Sequence, residues 1–288
     1  MSQPVVYLNG RFVLAERAAI SPLDRGFLYA DGLFETMRAY RARIFRLEAH
    51  LRRMAASAQA LGLPLPLDAA AASRVADELL RRNGLSDAAL RLTVTRGPGD
   101  GVDPPSEPKP TVLMAVRRLA RDSGLDAPVN VIALSGSAPA PAMARHKTLC
   151  YLPYLLARAQ ARAAGADDAL LLNAAGLVTE ASTSNVFIVR GDRLVTPRLE
   201  CGLLPGITRQ VVLEIAASVG LHPEEADLTP DDVRAADECF LTNSVAEITP
   251  VRRFDGAPLG SGEFLVAWAL HGAYRARVAW ELGLLPWS

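Results

Sequence analysis

Net charge is missing from this 288-residue sequence, in which 31 Lys and Arg face 31 Asp and Glu. Without a basic excess, neither nucleic acid nor an acidic membrane surface is indicated as a partner. Cysteine is scarce as well. Cys150, Cys201 and Cys239 are odd in number and far apart, which points away from a disulfide framework and from a zinc site. No apolar run reaches the ~18 residues of a membrane span. The opening Ser2-Gln3-Pro4 lacks the basic segment and apolar core of a secretory leader. Internal repeats and low-complexity tracts are absent too. The expected setting is soluble, reducing and cytoplasmic, with no metal ion called for.

What the chain does have is apolar content and regular punctuation. Half its residues are hydrophobic, and the length suits two modest domains with sizeable cores. Val5 to Leu8 and Phe12 to Leu14 flank Asn9-Gly10, a hairpin signal. From Phe34 to Ala39 the residues alternate as a strand does. Ile44 to Leu61 reads as a helix carrying Arg52-Arg53 and stopping at Gly62, and a second helix runs near Asp68 to Asn83 with Gly84 past its end. Strands at Ala89–Thr95 and Thr111–Val116 bracket a Gly- and Pro-rich loop. The polar stretch that ends in Asp126-Ala127-Pro128 reads as a linker. The expected organisation is an N-terminal α/β domain over 1–117, a linker over 118–127 and a second domain over 128–288.

The second domain opens with the apolar run Val129–Leu134 and a small-residue loop over 135–143. After Lys147, Leu152, Leu155, Leu156 and Ala159 recur at i, i+3, i+4 and i+7, with Gly165 as a stop. Strands are expected at Ala169–Asn173, Leu177–Glu180, Val186–Arg190, Arg193–Thr196, Cys239–Thr242 and Ile248–Phe254. Helices are expected at Ile207–Val219, after the Thr229-Pro230 cap, and from Glu263 to about Gly283, capped by Ser261.

Three places could carry chemistry. Lys147 stands at the mouth of a sheet beside Arg145 and His146, neighbours consistent with a lowered lysine pKa. A desolvated amine of that kind is an imine-forming nucleophile, although a lone loop lysine is more often solvated surface. Glu180 ends a strand in otherwise neutral surroundings; alone it would read as a surface acid. Pro205-Gly206-Ile207-Thr208 starts a helix, so the amides of Ile207 and Thr208 lack helical partners and can face an anion, and Gly206 permits close approach. The plain alternative is a Pro-Gly turn that only starts a helix.

Seven runs in order cover nearly the whole chain: Asp24-Arg-Gly26, Asp31-Gly-Leu-Phe-Glu35, His50-Leu-Arg-Arg-Met54, Lys147-Thr-Leu149, Val178 to Phe187, Leu204-Pro-Gly-Ile-Thr-Arg209 and Thr242 to Pro250. Together they resemble the fold-type IV, or class IV, family of pyridoxal 5'-phosphate (PLP) enzymes. That family includes branched-chain and D-amino-acid aminotransferases and aminodeoxychorismate lyase. The resemblance implies an α/β (α+β) two-domain fold, with a small N-terminal α/β domain and a larger, β-barrel-like C-terminal PLP domain with helices. It implies Lys147 as the Schiff-base lysine and proton shuttle, and Glu180 as partner of the pyridine nitrogen. Arg53, in a His-x-x-Arg pattern, and Ser244 match phosphate ligands beside the Gly206, Ile207 and Thr208 cradle. Leu204 is a candidate to pack against the cofactor ring. Tyr151 is a candidate for the cofactor's phenolic oxygen, one residue short of the branched-chain spacing. Around the substrate, Tyr29 and Phe34 match lining positions, Arg38 a receiver of a second carboxylate, and the amides of Val245 and Ala246 the turn for the α-carboxylate. Arg96 either steers a carboxylate or is solvated.

The subfamily signals are mixed. The Arg-x-His pair of D-amino-acid aminotransferases is absent from 96–105, and Thr-Leu-Cys-Tyr replaces the Gly-Gly-Asn-Tyr of many branched-chain enzymes. Arg38 and the run Ala246 to Arg252 lean toward branched-chain enzymes, whereas Thr242-Asn243-Ser244 is closer to some lyases. The expected function is an aminotransferase acting on a small-molecule amino donor and a keto-acid acceptor. The alternative is 4-amino-4-deoxychorismate lyase, which releases pyruvate and 4-aminobenzoate. A cofactor-binding module without turnover is disfavoured by the joint presence of Lys147, Glu180 and the cradle. Type IV enzymes are dimers, so a homodimer is implied.

Overall fold

The computed structural model describes residues 3–119, 127–136 and 138–285. Most of the expected linker, 118–127, lies outside them. The chain divides into two units: Met1–Leu119 with His146–Cys150, and Ala120–Arg145 with Tyr151–Ser288.

The strands of the first unit are β1 (Val5–Leu8), β2 (Arg11–Leu14), β3 (Gly32–Tyr40), β4 (Arg43–Ile44), β5 (Ala88–Thr95) and β6 (Thr111–Arg118). They form a six-stranded antiparallel sheet in the order β2-β1-β6-β5-β3-β4. The helices α2 (Leu47–Ala60) and α3 (Ala69–Asn83) follow α1 (Arg25–Tyr29). Leu33 and Met37 of β3 and Leu90 and Leu92 of β5 bury against Met54, Ala58 and Leu79 of those two helices. Asp68 caps α3 by accepting from Ala71 N, and Gly84 closes it in the left-handed conformation. No element is expected from the sequence where the short helix α1 lies. Its Asp24 cap accepts from Gly26 N and from the hydroxyls of Thr95 and Thr111.

Residues 146–150 join this unit, although the sequence reading places them in the second domain. The reason is backbone pairing with the start of β3. Phe34 N donates to Lys147 O at 2.9 Å and Leu149 N to Gly32 O at 3.0 Å, and Leu33 bridges Thr148.

The strands of the second unit are β7 (Val129–Ser135), β8 (Asp168–Leu172), β9 (Val178–Ala181), β10 (Asn185–Arg190), β11 (Arg193–Pro197), β12 (His222–Ala226), β13 (Glu238–Asn243), β14 (Glu247–Phe254) and β15 (Ala257–Pro258). They make a nine-stranded mixed sheet, β12-β11-β10-β13-β14-β7-β8-β9, with β15 on β14. The terminal strand β9 comes back against β10, so the sheet curls around the core of Leu170, Val178, Val186, Ile188, Leu241, Val251 and Phe254. The helices are α4 (Pro141–Ala144), α5 (Leu152–Ala163), α6 (Ile207–Ile215), α7 (Pro230–Arg234) and α8 (Leu265–Leu282).

Three local expectations change. The leucine stripe of α5 faces outward: Leu152, Leu155 and Leu156 are 62%, 55% and 54% exposed. The helix instead buries Ala157 and Ala161 against Ala169 and Leu171 of β8, because small side chains let helix and sheet approach closely. Helix α6 ends at Ile215 and tightens into a 3-10 turn before Gly220. Ser261 does not cap α8, which starts at Leu265 after Phe264. The Thr229 cap of α7 is a full capping box with Asp232.

Candidate active site

In the first unit the site forms around a carboxylate in an apolar row. Strand alternation turns Leu33, Glu35 and Met37 toward α2 and sends Phe34 and Arg38 to the other face. Glu35 is completely buried. His50 and Arg53 stand three apart on α2, hence on one helix face, and both reach it. Arg53 donates twice, Nε to Oε1 at 2.8 Å and Nη2 to Oε2 at 2.7 Å. His50 Nδ1 lies 2.7 Å from Oε2. Burial would raise the Glu35 pKa, but the Arg53 charge and the His50 and Arg53 hydrogen bonds outweigh it and hold the carboxyl at about 2. Burial depresses His50, and the charges of Arg53 and Lys147 push the same way. Its ring is therefore neutral at pH 7, with the Nδ1 proton directed at Glu35. A half-buried, doubly held guanidinium of this kind is aimed rather than mobile.

Lys147 is half-buried, and its Nζ lies 4.6 Å from the centroid of the Phe34 ring. The guanidinium of Arg91 stands 3.7 Å from the same centroid. His146 Nδ1 is 3.0 Å from Ser57 Oγ on α2, while Arg145 is exposed. Tyr29 is exposed at the end of α1, with the Arg25 guanidinium 5.1 Å from its ring centroid. Arg38 lies 4.7 Å from the Tyr40 ring centroid.

Arg96 takes neither of its expected roles. It is buried, and its guanidinium donates to Asp31 Oδ2 at 2.8 Å and to the carbonyls of Gly62 and Leu61 at 2.7 and 3.0 Å. Asp31 also accepts from Arg25 Nε at 2.8 Å, and Arg25 holds the carbonyls of Gly101, Val102 and Asp103. Arg25 thus ties down the 101–103 segment and Arg96 the end of α2 at Leu61 and Gly62, with Asp31 shared between them. That is packing work within the unit.

In the second unit Glu180 is buried in β9. Its Oε1 accepts from Tyr154 Oη at 3.1 Å and its Oε2 from Leu204 N at 3.1 Å. Asn185 Nδ2 donates to Leu204 O at 2.9 Å, so the backbone of Leu204 is gripped on both sides. Glycine at 206 leaves this arrangement undisturbed, since a Cβ there would meet Asn185 Oδ1 and push it from its place. Next comes α6, whose cap residue Gly206 offers no side chain to its first amides. Ile207 and Thr208 are buried, and the first helical N–H groups and the positive end of the helix dipole form an anion-binding end. Tyr151 spends its hydroxyl on Ser182 O at 3.0 Å and packs its ring 4.9 Å from that of Tyr154.

The turn of Ser244, Val245 and Ala246 joins β13 to β14. The amides assigned to a carboxylate are already engaged: Val245 N and Ala246 N donate to Asn243 Oδ1 at 2.9 and 2.8 Å. Sequence reasoning gave no role to Glu35, His50, Tyr154 or Asn243. All but Tyr154 stand inside the family-like runs, which is their only signal. Tyr154 has none beyond its position three residues after Tyr151.

Known proteins agree on the class. The family described as Amino-transferase class IV matches residues 32–254. A Methanocaldococcus jannaschii protein provisionally named a branched-chain-amino-acid aminotransferase is 42% identical over 256 residues, covering 87% of this chain and 88% of that one. Aminodeoxychorismate lyase of Bacillus subtilis is 31% identical over 278 residues, covering 95% and 94%. Among solved structures, the branched-chain aminotransferase of the thermophilic archaeon Thermoproteus uzoniensis with norvaline matches with a TM-score of 0.89 at 34% identity, covering 96% and 95%. The chain belongs to the class IV aminotransferase family. It has the fold-type IV architecture and is an enzyme of the aminotransferase type.

Proposed function

We propose that this aminotransferase uses PLP, with Lys147 as the reacting amine, to move an amino group between an amino acid and a 2-oxo acid. The observation that carries the reading is Glu180, a buried carboxylate held by Tyr154 and the Leu204 amide immediately before the uncapped start of α6. The donor set fits the cofactor. The first unit offers an amine and an aimed arginine, and the second an anion-binding helix end and a buried acid, each a counterpart to one functional group of PLP. When bound, PLP supplies an aldehyde and an electron-withdrawing ring.

The residues then divide the work. Lys147 Nζ carries the proton to and from the substrate's α-carbon. Glu180 holds a proton at the ring nitrogen by ion-pair logic. Arg53 and the amides of Ile207 and Thr208 anchor the phosphate, joined by the Ser244 hydroxyl. Leu204 would pack against the ring, and Tyr151 would serve the phenolic oxygen only by giving up its bond to Ser182 O. Tyr29, Phe34, Arg38 and the 244–246 turn line the substrate. Arg96 is left out of this assignment.

The likeness to branched-chain aminotransferases favours aliphatic amino acids as donors. The lyase is the second reading, favoured by Thr242-Asn243-Ser244 and by the Bacillus subtilis relative. A cytoplasmic homodimer is part of the proposal, supported by three cysteines outside any disulfide and by the exposed leucines of α5. No helix among the described residues is long and apolar enough to cross a membrane. An amino-donor panel read by cofactor absorbance tests the reading. L-Valine, L-leucine, L-glutamate and D-alanine should include a donor that bleaches the visible band. Pyruvate release from aminodeoxychorismate, with no response to any amino acid, would replace the aminotransferase with the lyase.

A further inference from the structure

Asn243 is the last residue of β13 and pairs in register with Glu247, leaving the three-residue turn between them. The orientation of its carboxamide is set by its own donor, because Nδ2 reaches Ser184 Oγ at 2.9 Å. The oxygen is thereby turned onto the amides of Val245 and Ala246. Two backbone N–H groups converging on one oxygen are what a carboxylate oxygen would meet. The far end of the turn is fixed too. Glu247 is buried at a left-handed φ of 63° and accepts from His271 Nε2 at 2.7 Å and Arg275 Nε at 2.8 Å, both on α8. A turn held at both ends keeps its amides converged, and the chain supplies the oxygen they bind.

We propose that Asn243 is a specificity-determining residue, whose side-chain oxygen competes with the substrate's carboxylate for the amides of Val245 and Ala246. This rests on the reading that the turn receives that carboxylate. A donor gains from this turn only the difference between its own hydrogen bonds and those of Asn243. Carboxylate affinity at the site is therefore low, and amines that lack a carboxylate suffer less of a disadvantage than at an open turn.

Three proteins test it, all loaded with PLP: wild type, Asn243→Ala and Asn243→Asp. The probe is isobutyrate, with its dissociation constant measured by calorimetry and KM and kcat followed for L-valine and for a simple alkylamine. Removing the competing oxygen should tighten isobutyrate roughly tenfold, the worth of one or two net hydrogen bonds. The L-valine KM should fall in parallel, and by several-fold more than the alkylamine KM. Asn243→Asp keeps the acceptor and adds a negative charge, so it should bind isobutyrate more weakly than wild type. If Asn243 only supported the turn, Ala would weaken binding and Asp would leave it near wild type, and that pattern overturns the proposal. Should Asn243→Ala fold poorly, the Asp variant decides alone: affinity equal to or above wild type overturns. A wild-type protein that takes no PLP, or meets no reactive amino donor, overturns the functional reading and this proposal together. Intact turnover with unmoved variants overturns only the latter.

Discussion

Glu35 grips Arg53 at two points, Nε to Oε1 at 2.8 Å and Nη2 to Oε2 at 2.7 Å, in a row of otherwise apolar side chains. A buried ion pair contributes little to net stability over a hydrophobic substitute, yet breaking one side of it is costly. Its use here is direction, since a guanidinium locked on one edge presents a fixed remainder to an anion.

Glu35→Gln should therefore weaken PLP binding while leaving pyridoxal, which lacks the phosphate, bound as in wild type. Fluorescence titration of the apoprotein with both compounds reads the ratio. A variant that loses both equally has lost general structure, and the positioning role with it. The folded protein should also lose about 3 kcal/mol, measured by urea denaturation.

The same carboxylate gives a pH dependence. Its folded value near 2 lies below the ordinary 4.5, so its stabilisation is complete above pH 4.5 and fades as pH falls toward 2. The amount is on the order of 3 kcal/mol. His50, depressed below 6.5 by burial, adds a loss of the same sign, beginning as pH falls below 6.5. Urea midpoints between pH 7 and 2 should show wild type losing its advantage over Glu35→Gln through the acid window. A constant gap would contradict the linkage.

Lys109 and Lys147 are the only lysines in the sequence, which makes the reacting amine easy to assign. Borohydride should fix PLP to wild type and to Lys109→Ala, and should fix none to Lys147→Ala. Peptide mapping that finds the label on Lys109 would reverse the assignment.

Glu180→Gln should bind PLP but lose about 10² or more in kcat, the usual cost of removing a preorganised electrostatic contact. Tyr154→Phe removes only one neutral donor from the same carboxylate. It should cost about tenfold at most and shift the pH profile of cofactor absorbance. Near-wild-type turnover of Glu180→Gln would show that another group serves the ring nitrogen.

At Gly206 the added methyl of Gly206→Ala meets Asn185 Oδ1. Relief requires moving Asn185 off Leu204 O, at a cost of about 1–3 kcal/mol, with weaker binding of PLP and inorganic phosphate. An additional Asn185→Ala substitution should restore part of the loss. A wild-type-like Gly206→Ala would mean that the contact is easily surrendered.

On assembly, light scattering at micromolar concentration should give a dimer, the default closed pairing for soluble homo-oligomers. Charged substitutions at Leu155 and Leu156, both exposed, test whether the α5 stripe is covered in that dimer. A fully active monomer would refute the pairing.

Local chemistry was legible in the sequence because it is written in neighbours. Asn9-Gly10, Asp68, Gly84 and Thr229-Pro230 mark turns and caps through their own dihedral and hydrogen-bond preferences. Lys147, Glu180 and the Pro205-Gly206 helix start stand out only through the seven family-like runs that hold them; alone, the first two would read as surface charges. The face of α5 was not legible, because periodicity names a stripe without saying whether leucines or alanines meet the sheet. Nor was the partner of Arg53. Glu35 lies 18 positions away, and whether it meets α2 depends on the register between a strand and a helix. Lys147 falls with the first unit because residues 146–150 pair with the start of β3, far away in sequence. The Asn243 oxygen reaches two amides because Ser184, 59 positions earlier, holds the other end of its carboxamide. Spacing along a chain fixes dihedral preferences and side-chain periodicity. Which buried charge meets which guanidinium is decided only when distant backbones settle into register.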